Sequence, residues 1–247
     1  MIGNFFSPQK KKDNETTLFC PKIDLHSHLI PGIDDGSKSL EESIEMLRAM
    51  QALGYEKVIT TPHVMADAYQ NSTRTILRGL HKLREAAILE GIEIKIEAAA
   101  EYYLDEELIS RLERGDILTI ANEYLLFETS YFSKPLNFEE VIFEIQAKGY
   151  KALLAHPERY RYISDPGVEF ERMKELGVYF QLDINSLGGY YGKQAKENAR
   201  LLSEWGMIDF LGSDVHHKKQ VRFLKKVFAD QRYLALLRNN QILNETL

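Results

Sequence analysis

Histidines and carboxylates recur in this chain at short spacings that suit metal binding. One group is His26-Ser27-His28, and a similar pair, Asp214-Val215-His216, lies near the other end of the chain. Because side chains at i and i+2 of an extended strand point to the same side, both members of each pair can face one ion. Imidazole and carboxylate ligands suit zinc, manganese or iron, and a carboxylate-rich set favours several ions bridged by shared oxygens. The sequence therefore predicts a site for two or three divalent metal ions.

Four further candidate ligands lie at the ends of predicted strands: His63, Glu101, Glu128 and His156. A lone histidine is more often an ordinary polar residue, and Glu101 by itself is as readily explained by a structural ion pair. Glu128 is harder to explain in that way, because a carboxylate at the end of an apolar run is costly to bury unless it binds a cation. We expect all four to join the two pairs, since independent structural roles would require too many coincidences.

Two loop segments could complete such a site. In Asp34-Asp35-Gly36 a turn or helix-cap role is expected for one aspartate, while the other could reach a metal. The segment His156-Pro157-Glu158-Arg159 places an arginine just beyond an apolar run, where its guanidinium could hold phosphate oxygens in a bidentate fork or form a surface salt bridge. His81 and His217 are expected to lie outside the site.

The elements that would position these residues alternate between strand and helix. Ser39 and Glu42 are spaced as a capping box before the first helix, and Gly54 lies just past its end. The pattern predicts seven parallel strands with right-handed crossovers, closing into a barrel whose strand ends carry a potential ligand in six cases. The predicted strands are 23–25, 58–60, 93–100, 124–127, 152–155, 178–184 and 208–211, and the predicted helices are 40–53, 73–90, 106–114, 138–148, 167–176, 194–205 and part of the last thirty residues.

Composition limits the remaining possibilities. The chain has 247 residues, is 44% hydrophobic and carries a net charge of −6, with Lys10-Lys11-Lys12 as its one long basic run, which argues against nucleic-acid binding. Cys20 is the only cysteine, so no internal disulfide is possible and we expect a cytoplasmic protein. No secretory signal and no apolar run of the ~20 residues needed to span a membrane is found. We expect residues 1–21 to form a flexible arm and 22–247 one barrel domain.

In order and spacing, these motifs resemble the PHP (polymerase and histidinol phosphatase) superfamily. The matching segments are Asp24-Leu25-His26-Ser27-His28, Thr61-Pro62-His63, Ala100-Glu101, His156-Pro157-Glu158-Arg159-Tyr160 and Ser213-Asp214-Val215-His216. The resemblance implies a distorted (β/α)7 TIM-like barrel with a trinuclear metal site. It also implies the ligands His26, His28, Asp35, His63, Glu101, Glu128, His156, Asp214 and His216.

The segment Pro31-Gly32-Ile33-Asp34-Asp35-Gly36-Ser37 resembles more narrowly the bacterial tyrosine-protein phosphatases associated with capsule and exopolysaccharide synthesis. That resemblance implies a phosphotyrosine protein as substrate, with the tail of a bacterial tyrosine kinase as the expected partner, and manganese as the expected ion, with iron or zinc as alternatives. Arg159, Asp35 and His216 are the expected catalytic residues. Arg159 would bind phosphate, and either Lys218 or Arg222 would fill the place of a second phosphate-binding arginine.

The predicted reaction is hydrolysis of phosphotyrosine by a metal-activated hydroxide. A cysteine-dependent mechanism is excluded by spacing, because His26 stands six residues after Cys20, where that class needs an arginine. Alternatives on related folds are a histidinol-phosphate or other small phosphomonoester phosphatase, and an amidohydrolase-type barrel. A metal-binding module without catalysis is the alternative of another class. Some aromatic residues near the ligands are expected to flank a substrate ring, and the others to pack the barrel rim: Tyr102, Tyr103, Tyr131, Phe132, Tyr160 and Tyr162.

Overall fold

Parallel strands and helices alternate through residues 20–247, which are the residues that the computed structural model describes. All but the last two residues of the predicted N-terminal arm lie outside this range. The strands are β1 (Ile23–Asp24), β2 (Lys57–Thr60), β3 (His63–Val64), β4 (Lys95–Ala98), β5 (Glu101–Tyr103), β6 (Tyr124–Glu128), β7 (Lys151–Ala155), β8 (Tyr179–Asp183) and β9 (Phe210–Gly212). The helices are α1 (Leu40–Leu53), α2 (Thr73–Leu89), α3 (Glu106–Arg114), α4 (Phe138–Ala147), α5 (Pro166–Glu175), α6 (Ile184–Gly188), α7 (Lys193–Glu204), α8 (Lys218–Phe228) and α9 (Gln231–Asn239).

The strands occupy seven positions around a curled sheet. One sheet has the order β1-β2-β4 and the other β3-β5-β6-β7-β8-β9, and every pairing is parallel. The two ends of this series meet where the backbone N–H of Asp214 donates to the carbonyl of His26 at 2.8 Å and that of His28 to Val215 at 2.9 Å. The predicted α/β barrel of seven strand positions is therefore confirmed.

Two strand positions are interrupted, which the sequence pattern did not predict. β2 and β3 are separated by Thr61-Pro62, and β4 and β5 by Ala99-Ala100. Proline has no N–H to donate to a ladder, so the second strand position breaks there. Pro62 instead accepts from the backbone N–H of Glu101 at 3.1 Å. As a result, His63 and Glu101 begin new strand segments and are paired in register, whereas we expected each to follow the end of its strand.

The first two helices form as their sequences predict. Ser39 Oγ accepts a hydrogen bond from the backbone N–H of Glu42 at 3.3 Å, and Gly54 takes a left-handed conformation with φ of 108°. In α2, the apolar residues Ile76, Leu80, Leu83 and Ala87 recur at helical spacing and are all buried. The short helix α6 was not predicted; the Asp183 side chain accepts from the backbone N–H of Asn185 at 2.8 Å and so caps it directly after β8. None of the helices among the described residues has the length and apolar character to cross a bilayer.

Apolar side chains fill the half of the barrel interior that lies at the amino-terminal ends of the strands. We call this group the lower core. Its aromatic members Tyr124 and Phe210 pack edge to face, with ring centroids 4.9 Å apart. A second, larger cluster lies between the sheet and the surrounding helices. The lower core consists of Ile23, Leu25, Ile59, Ala99, Ile120, Tyr124, Leu126, Leu153, Ala155 and Phe210. It leaves only the carboxyl-terminal half of the interior for chemistry.

Candidate metal centre

His26 and His28 follow β1 and point their Nε2 atoms into the carboxyl-terminal half of the barrel interior. His26 Nδ1 donates to Oε1 of Gln181 at 2.8 Å, and His28 Nδ1 donates to Oδ2 of Asp34 at 2.8 Å. In a neutral imidazole that donates from Nδ1 in this way, Nε2 keeps its lone pair for a ligand. The two Nε2 atoms lie 3.2 Å apart. This is the arrangement expected of histidines that bind metal through Nε2.

Glu101 lies at the centre of the cluster and is fully buried. Its Oε2 lies 3.2 Å from His26 Nε2 and 3.0 Å from His63 Nδ1, while its Oε1 lies 3.0 Å from His156 Nε2. On the other side of His26, Oδ1 of Asp214 lies 3.2 Å from both Nε2 atoms of the histidine pair. Glu101 is therefore placed to share its two oxygens between neighbouring ions.

The outer part of the cluster is formed by Asp35, His63, Glu128 and His216. His63 Nδ1 lies 3.2 Å from Oε1 of Glu128, and Oδ1 of Asp35 lies 3.4 Å from Nε2 of both His63 and His216. His216 Nδ1 donates to the backbone carbonyl of Asp214 at 3.0 Å, which again leaves Nε2 free. The Asp35 side chain is 55% exposed, far more than the others, so this part faces the entrance.

The turn Asp34-Asp35-Gly36 divides its roles as the sequence suggested. Asp34 Oδ1 accepts from the backbone N–H of Gly36 at 3.0 Å, while its Oδ2 holds His28. The neighbouring Asp35 turns its side chain toward the histidines. Sequence reasoning gave one aspartate a turn role and left open which; the structure adds that the buried Asp34 also orients a histidine.

The donor atoms form four overlapping groups, each compact enough to surround one ion. Within each group the atoms lie within 4.8 Å of one another. Two donor atoms, Glu101 Oε2 and His63 Nδ1, are buried and have no hydrogen-bond partner, which polar groups in a protein interior rarely tolerate. A cation between them would satisfy both. The groups are His26–His28–Asp214, His26–Glu101–His156, His63–Glu101–Glu128 and His28–Asp35–His63–His216. They contain all nine ligands that the resemblance implies.

Electrostatics in the centre favour added positive charge. Burial opposes protonation of His26, yet the carboxylates of Glu101 and Asp214 outweigh it and raise the pKa of His26 well above its ordinary value. Likewise, burial of His216 is outweighed by Asp214 and Asp35, which raise the pKa of His216 to about 9. The carboxylates thus draw protons onto imidazoles, a role that bound cations would take over.

Two of the candidate ligands have unusual backbone conformations. His156 has φ of 38° and Asp214 has φ of 46°, both in the left-handed region that side chains other than glycine seldom adopt. Each such residue costs on the order of 1–3 kcal/mol and persists where its surroundings impose it. Both residues directly follow strands of the barrel. Their left-handed backbone conformation directs their side chains into the cluster.

Arg159 lies beside the cluster, in the short 3₁₀ turn that follows β7. Its guanidinium pairs with Oδ2 of Asp214 and lies 3.7 Å from Oδ2 of Asp183, stacked 4.0 Å from the ring centre of Tyr191 and 5.0 Å from that of Tyr131. Burial and the charge of Asp214 raise the pKa of Asp183 well above its usual range. Arg159 therefore pairs with buried carboxylates of the barrel interior. It does not form the surface salt bridge that the sequence left as an alternative.

A cavity of about 380 Å³ opens over the cluster, lined by its outer ligands and by Arg159. Four aromatic side chains form its rim: Tyr69, Tyr103, Tyr131 and Phe132. Of the other predicted aromatics, Tyr102 and Tyr160 are buried in the larger apolar cluster between the sheet and the helices. Tyr162 packs against Tyr160 with ring centroids 5.3 Å apart. Three of the six predicted aromatics therefore line the cavity and three pack away from it; whether the three at the cavity flank a substrate ring stays a prediction.

The two candidates for a second phosphate-binding cation lie on α8, outside this cavity. Lys218 lines a neighbouring groove that also contains Asp35 and His216, and its Nζ pairs with Glu45 at 2.8 Å. Arg222 is exposed one turn further along α8 and lines neither cavity. Their assignment to phosphate binding stays a prediction. His81 and His217 are exposed and take no part in the cluster, as predicted.

Sequence reasoning missed Gln181, Tyr69 and Tyr191. Gln181 and Asp183 alternate along β8 toward the barrel interior, so the period of two could have indicated Gln181. Gly212 was also missed: a Cβ there would lie 2.5 Å from Gln181 Nε2 and 2.7 Å from His26 Cβ, so only glycine fits behind His26. The two tyrosines reach the site from a loop and a turn, where no sequence signal marks them.

Comparison with known proteins agrees with this geometry. The chain is 30% identical to tyrosine-protein phosphatase YwqE of Bacillus subtilis (strain 168), over 91% of this chain and 93% of that protein. It is 25% identical to tyrosine-protein phosphatase CpsB of Streptococcus pneumoniae, over 79% of this chain and 83% of that protein. A solved structure from work on these two proteins, described as unique metal-dependent tyrosine phosphatases, superposes with a TM-score of 0.76 at 30% identity, covering 89% of this chain and 96% of that chain.

A more distant likeness concerns the fold alone. An inactive dihydroorotase-like domain from Chaetomium thermophilum gives a TM-score of 0.56 at 11% identity, covering 92% of this chain and 78% of that chain.

A family profile described as capsular polysaccharide synthesis, CpsB/CapC, matches residues 22–228, nearly the whole described barrel. Together with the motifs and the metal-binding geometry, this match shows that the chain belongs to the CpsB/CapC family of capsular polysaccharide synthesis.

Proposed function

We propose that this chain is a metal-dependent protein tyrosine phosphatase that hydrolyses phosphotyrosine. The observation that carries the proposal is the set of four overlapping donor groups at the base of an aromatic-rimmed cavity. Two or three adjacent ions are suited to phosphoryl transfer, because they can hold the nucleophile and phosphate oxygens together. The relatives named as tyrosine-protein phosphatases support this choice of reaction.

The nine clustered residues would hold the ions, with Glu101, His26, His28 and His63 each belonging to two groups. Bound divalent ions supply Lewis acidity, which lowers the pKa of water to about 7 and neutralises phosphoryl charge. The mixture of five imidazoles and four carboxylates suits manganese, with iron or zinc as alternatives. We choose manganese because carboxylate oxygens make up almost half of the donors.

Arg159 would bind the phosphoryl oxygens. Its guanidinium lies at the wall of the cavity, held by Asp214 and by the faces of Tyr131 and Tyr191, so it is fixed in place before substrate arrives. A planar guanidinium matches two phosphate oxygens, which a lysine ammonium cannot do. Asp35 and His216 lie at the more exposed side of the cluster and would meet the substrate first.

The aromatic rim favours phosphotyrosine over an alkyl phosphate. Tyr69, Tyr103, Tyr131 and Phe132 surround the entrance and offer ring faces or edges to a substrate ring. A tyrosine phenolate, with a pKa of about 10, is also a better leaving group than an alkoxide, so little general-acid assistance is needed. Histidinol phosphate has an imidazole ring that could contact this rim, but its leaving group is an alkoxide, which makes small phosphomonoesters the second candidate.

The substrate would be a phosphotyrosine protein, and the tail of a bacterial tyrosine kinase is the partner that we propose. The family description links the chain to capsular polysaccharide synthesis, which is consistent with a kinase of that process. We place the reaction in the cytoplasm, because Cys20 is a free thiol.

The test compares hydrolysis of a phosphotyrosine peptide with that of histidinol phosphate, with Mn²⁺ or with chelator. The variants are a His26→Ala, His28→Ala double substitution and, as a matched control, His81→Ala on the exposed face of α2. We expect metal-dependent release of phosphate from the peptide, lost in the double variant and retained in the control.

Preference for histidinol phosphate would contradict the tyrosine phosphatase and support a phosphatase of small phosphomonoesters on the same fold. Metal binding without turnover of either substrate would contradict catalysis and support the metal-binding module.

A further inference from the structure

A second, smaller cavity of about 190 Å³ adjoins the catalytic cavity. Tyr131, Phe132 and Arg159 line both, and Arg161 and Tyr191 complete the smaller one. Its volume is about half that of the main cavity, which suits a single side chain. A substrate peptide with its phosphotyrosine in the main cavity would therefore bring a neighbouring residue to this one.

The two arginines of the smaller cavity are in different electrostatic states. Arg159 is paired with the buried carboxylate of Asp214. Arg161 is exposed and forms no ion pair with any other residue of the range 20–247, although its backbone N–H donates to the Tyr131 carbonyl at 2.7 Å. Its guanidinium lies 5.2 Å from the ring centre of Phe132. Arg161 thus presents, at the rim of the site, a cation that no carboxylate of the described residues neutralises.

The charge of the smaller cavity contrasts with that of its neighbour. Among the described residues that line it, two are arginines and none is acidic. The main cavity contains the carboxylates of Asp35, Glu128 and Asp214. A carboxylate entering the smaller cavity would meet complementary charge and a planar donor that binds two oxygens.

We propose that Arg161 and Phe132 form a specificity subsite that binds an aspartate or glutamate side chain next to the phosphotyrosine of the substrate. The inference rests on the proposed phosphotyrosine hydrolysis and narrows its substrates to phosphotyrosines with acidic neighbours. Phe132 is 72% exposed and covers the aliphatic part of the acidic side chain of the substrate. Arg161 pairs with the carboxylate of that acidic side chain.

The experiment measures kcat/KM for three phosphotyrosine peptides that differ only in the residues flanking the phosphotyrosine, which are glutamate, glutamine or lysine. An exposed ion pair corresponds to roughly a 1.4-fold to fivefold preference. The wild type should prefer glutamate to glutamine by this factor, mainly through KM. Arg161→Gln should bring the ratio close to one, and Arg161→Glu should favour the lysine peptide. The control is Arg238→Gln, an exposed arginine on α9, which should keep the wild-type ratio.

Retention of the glutamate preference in Arg161→Gln, or its absence in the wild type, would overturn the subsite. If the metal-loaded wild type hydrolyses none of the peptides, the proposed function fails, and binding of the fluorescein-labelled peptides decides the subsite separately. Tighter binding of the glutamate peptide that is lost in Arg161→Gln supports it, whereas equal binding of the three peptides refutes it.

Discussion

The innermost residues of the two halves of the barrel interior are equally buried but chemically opposite. The lower core is apolar, with Leu25, Leu126 and Phe210 all 0% exposed. Directly above it, His26, His28 and Glu101 are also 0% exposed. The same strands therefore build a stabilising interior at one end and a charged interior at the other.

This difference separates residues that maintain the fold from the residues that we propose bind metal. Burying apolar surface gains roughly 25 cal/mol per Å², whereas burying unpaired charge is costly. In the carboxyl-terminal half this cost is offset when a cation binds, because the donor atoms of each group lie within 4.8 Å of one another and can surround one ion. We therefore expect changes in the lower core to alter stability, and changes in the carboxyl-terminal half to alter metal binding and catalysis.

The largest effect should come from Phe210→Ala in the lower core. Loss of a fully buried ring leaves a cavity and should lower the free energy of unfolding by about 3–5 kcal/mol. Urea denaturation measures this, with Phe143→Ala as the control because that ring is 67% exposed on α4. Metal-dependent activity per folded molecule should persist. A change below about 1 kcal/mol would contradict the role of the lower core.

Glu101→Gln should nearly abolish catalysis. The substitution removes the charge shared by two donor groups, so kcat/KM should fall roughly 10³-fold, equivalent to about 4 kcal/mol. Glu97→Gln, in the preceding strand segment and paired with Lys57 and Lys95 near the surface, is the matched control. Equal losses in both variants would mean that the effect is structural.

Removal of metal should destabilise the protein. An ion that binds only the folded chain contributes about 2.7 kcal/mol when its concentration is 100 times its dissociation constant. Thermal melts with Mn²⁺ and then with excess chelator should show a stabilisation that the chelator reverses. The comparison fails if Glu101→Gln responds to Mn²⁺ as strongly as the wild type.

Asp34→Asn should have the smallest effect of the four. Asp34 orients His28 from outside the cluster, and loss of such a partner weakens metal affinity by roughly 10–100-fold. Calorimetric titration with Mn²⁺ measures this loss, and the exposed Asp67→Asn is the control. Unchanged affinity in Asp34→Asn would show that His28 needs no support from Asp34.

The sequence by itself determined the residue types at the carboxyl ends of the strands. Alternation along a strand predicted that His26 would lie with His28 and Asp214 with His216, and parallel strands bring their carboxyl ends to one edge. Both pairs do meet in the cluster, although all four residues follow their strands and Asp214 has a left-handed conformation. These are local rules, so one sequence suffices to apply them. The capping of α1, the apolar face of α2 and the seven strand positions follow from the same kind of rule.

Only the tertiary structure decided which distant groups hold these residues in place. Gln181 supports His26 across 155 positions of the chain, and Arg159 reaches Asp214 across 55. The break of the second strand position at Thr61-Pro62 has a local cause in the proline, but the pairing of His63 with Glu101 depends on the neighbouring strand. Such contacts arise when the sheet curls and closes, and their partners are therefore fixed by the geometry of the whole barrel.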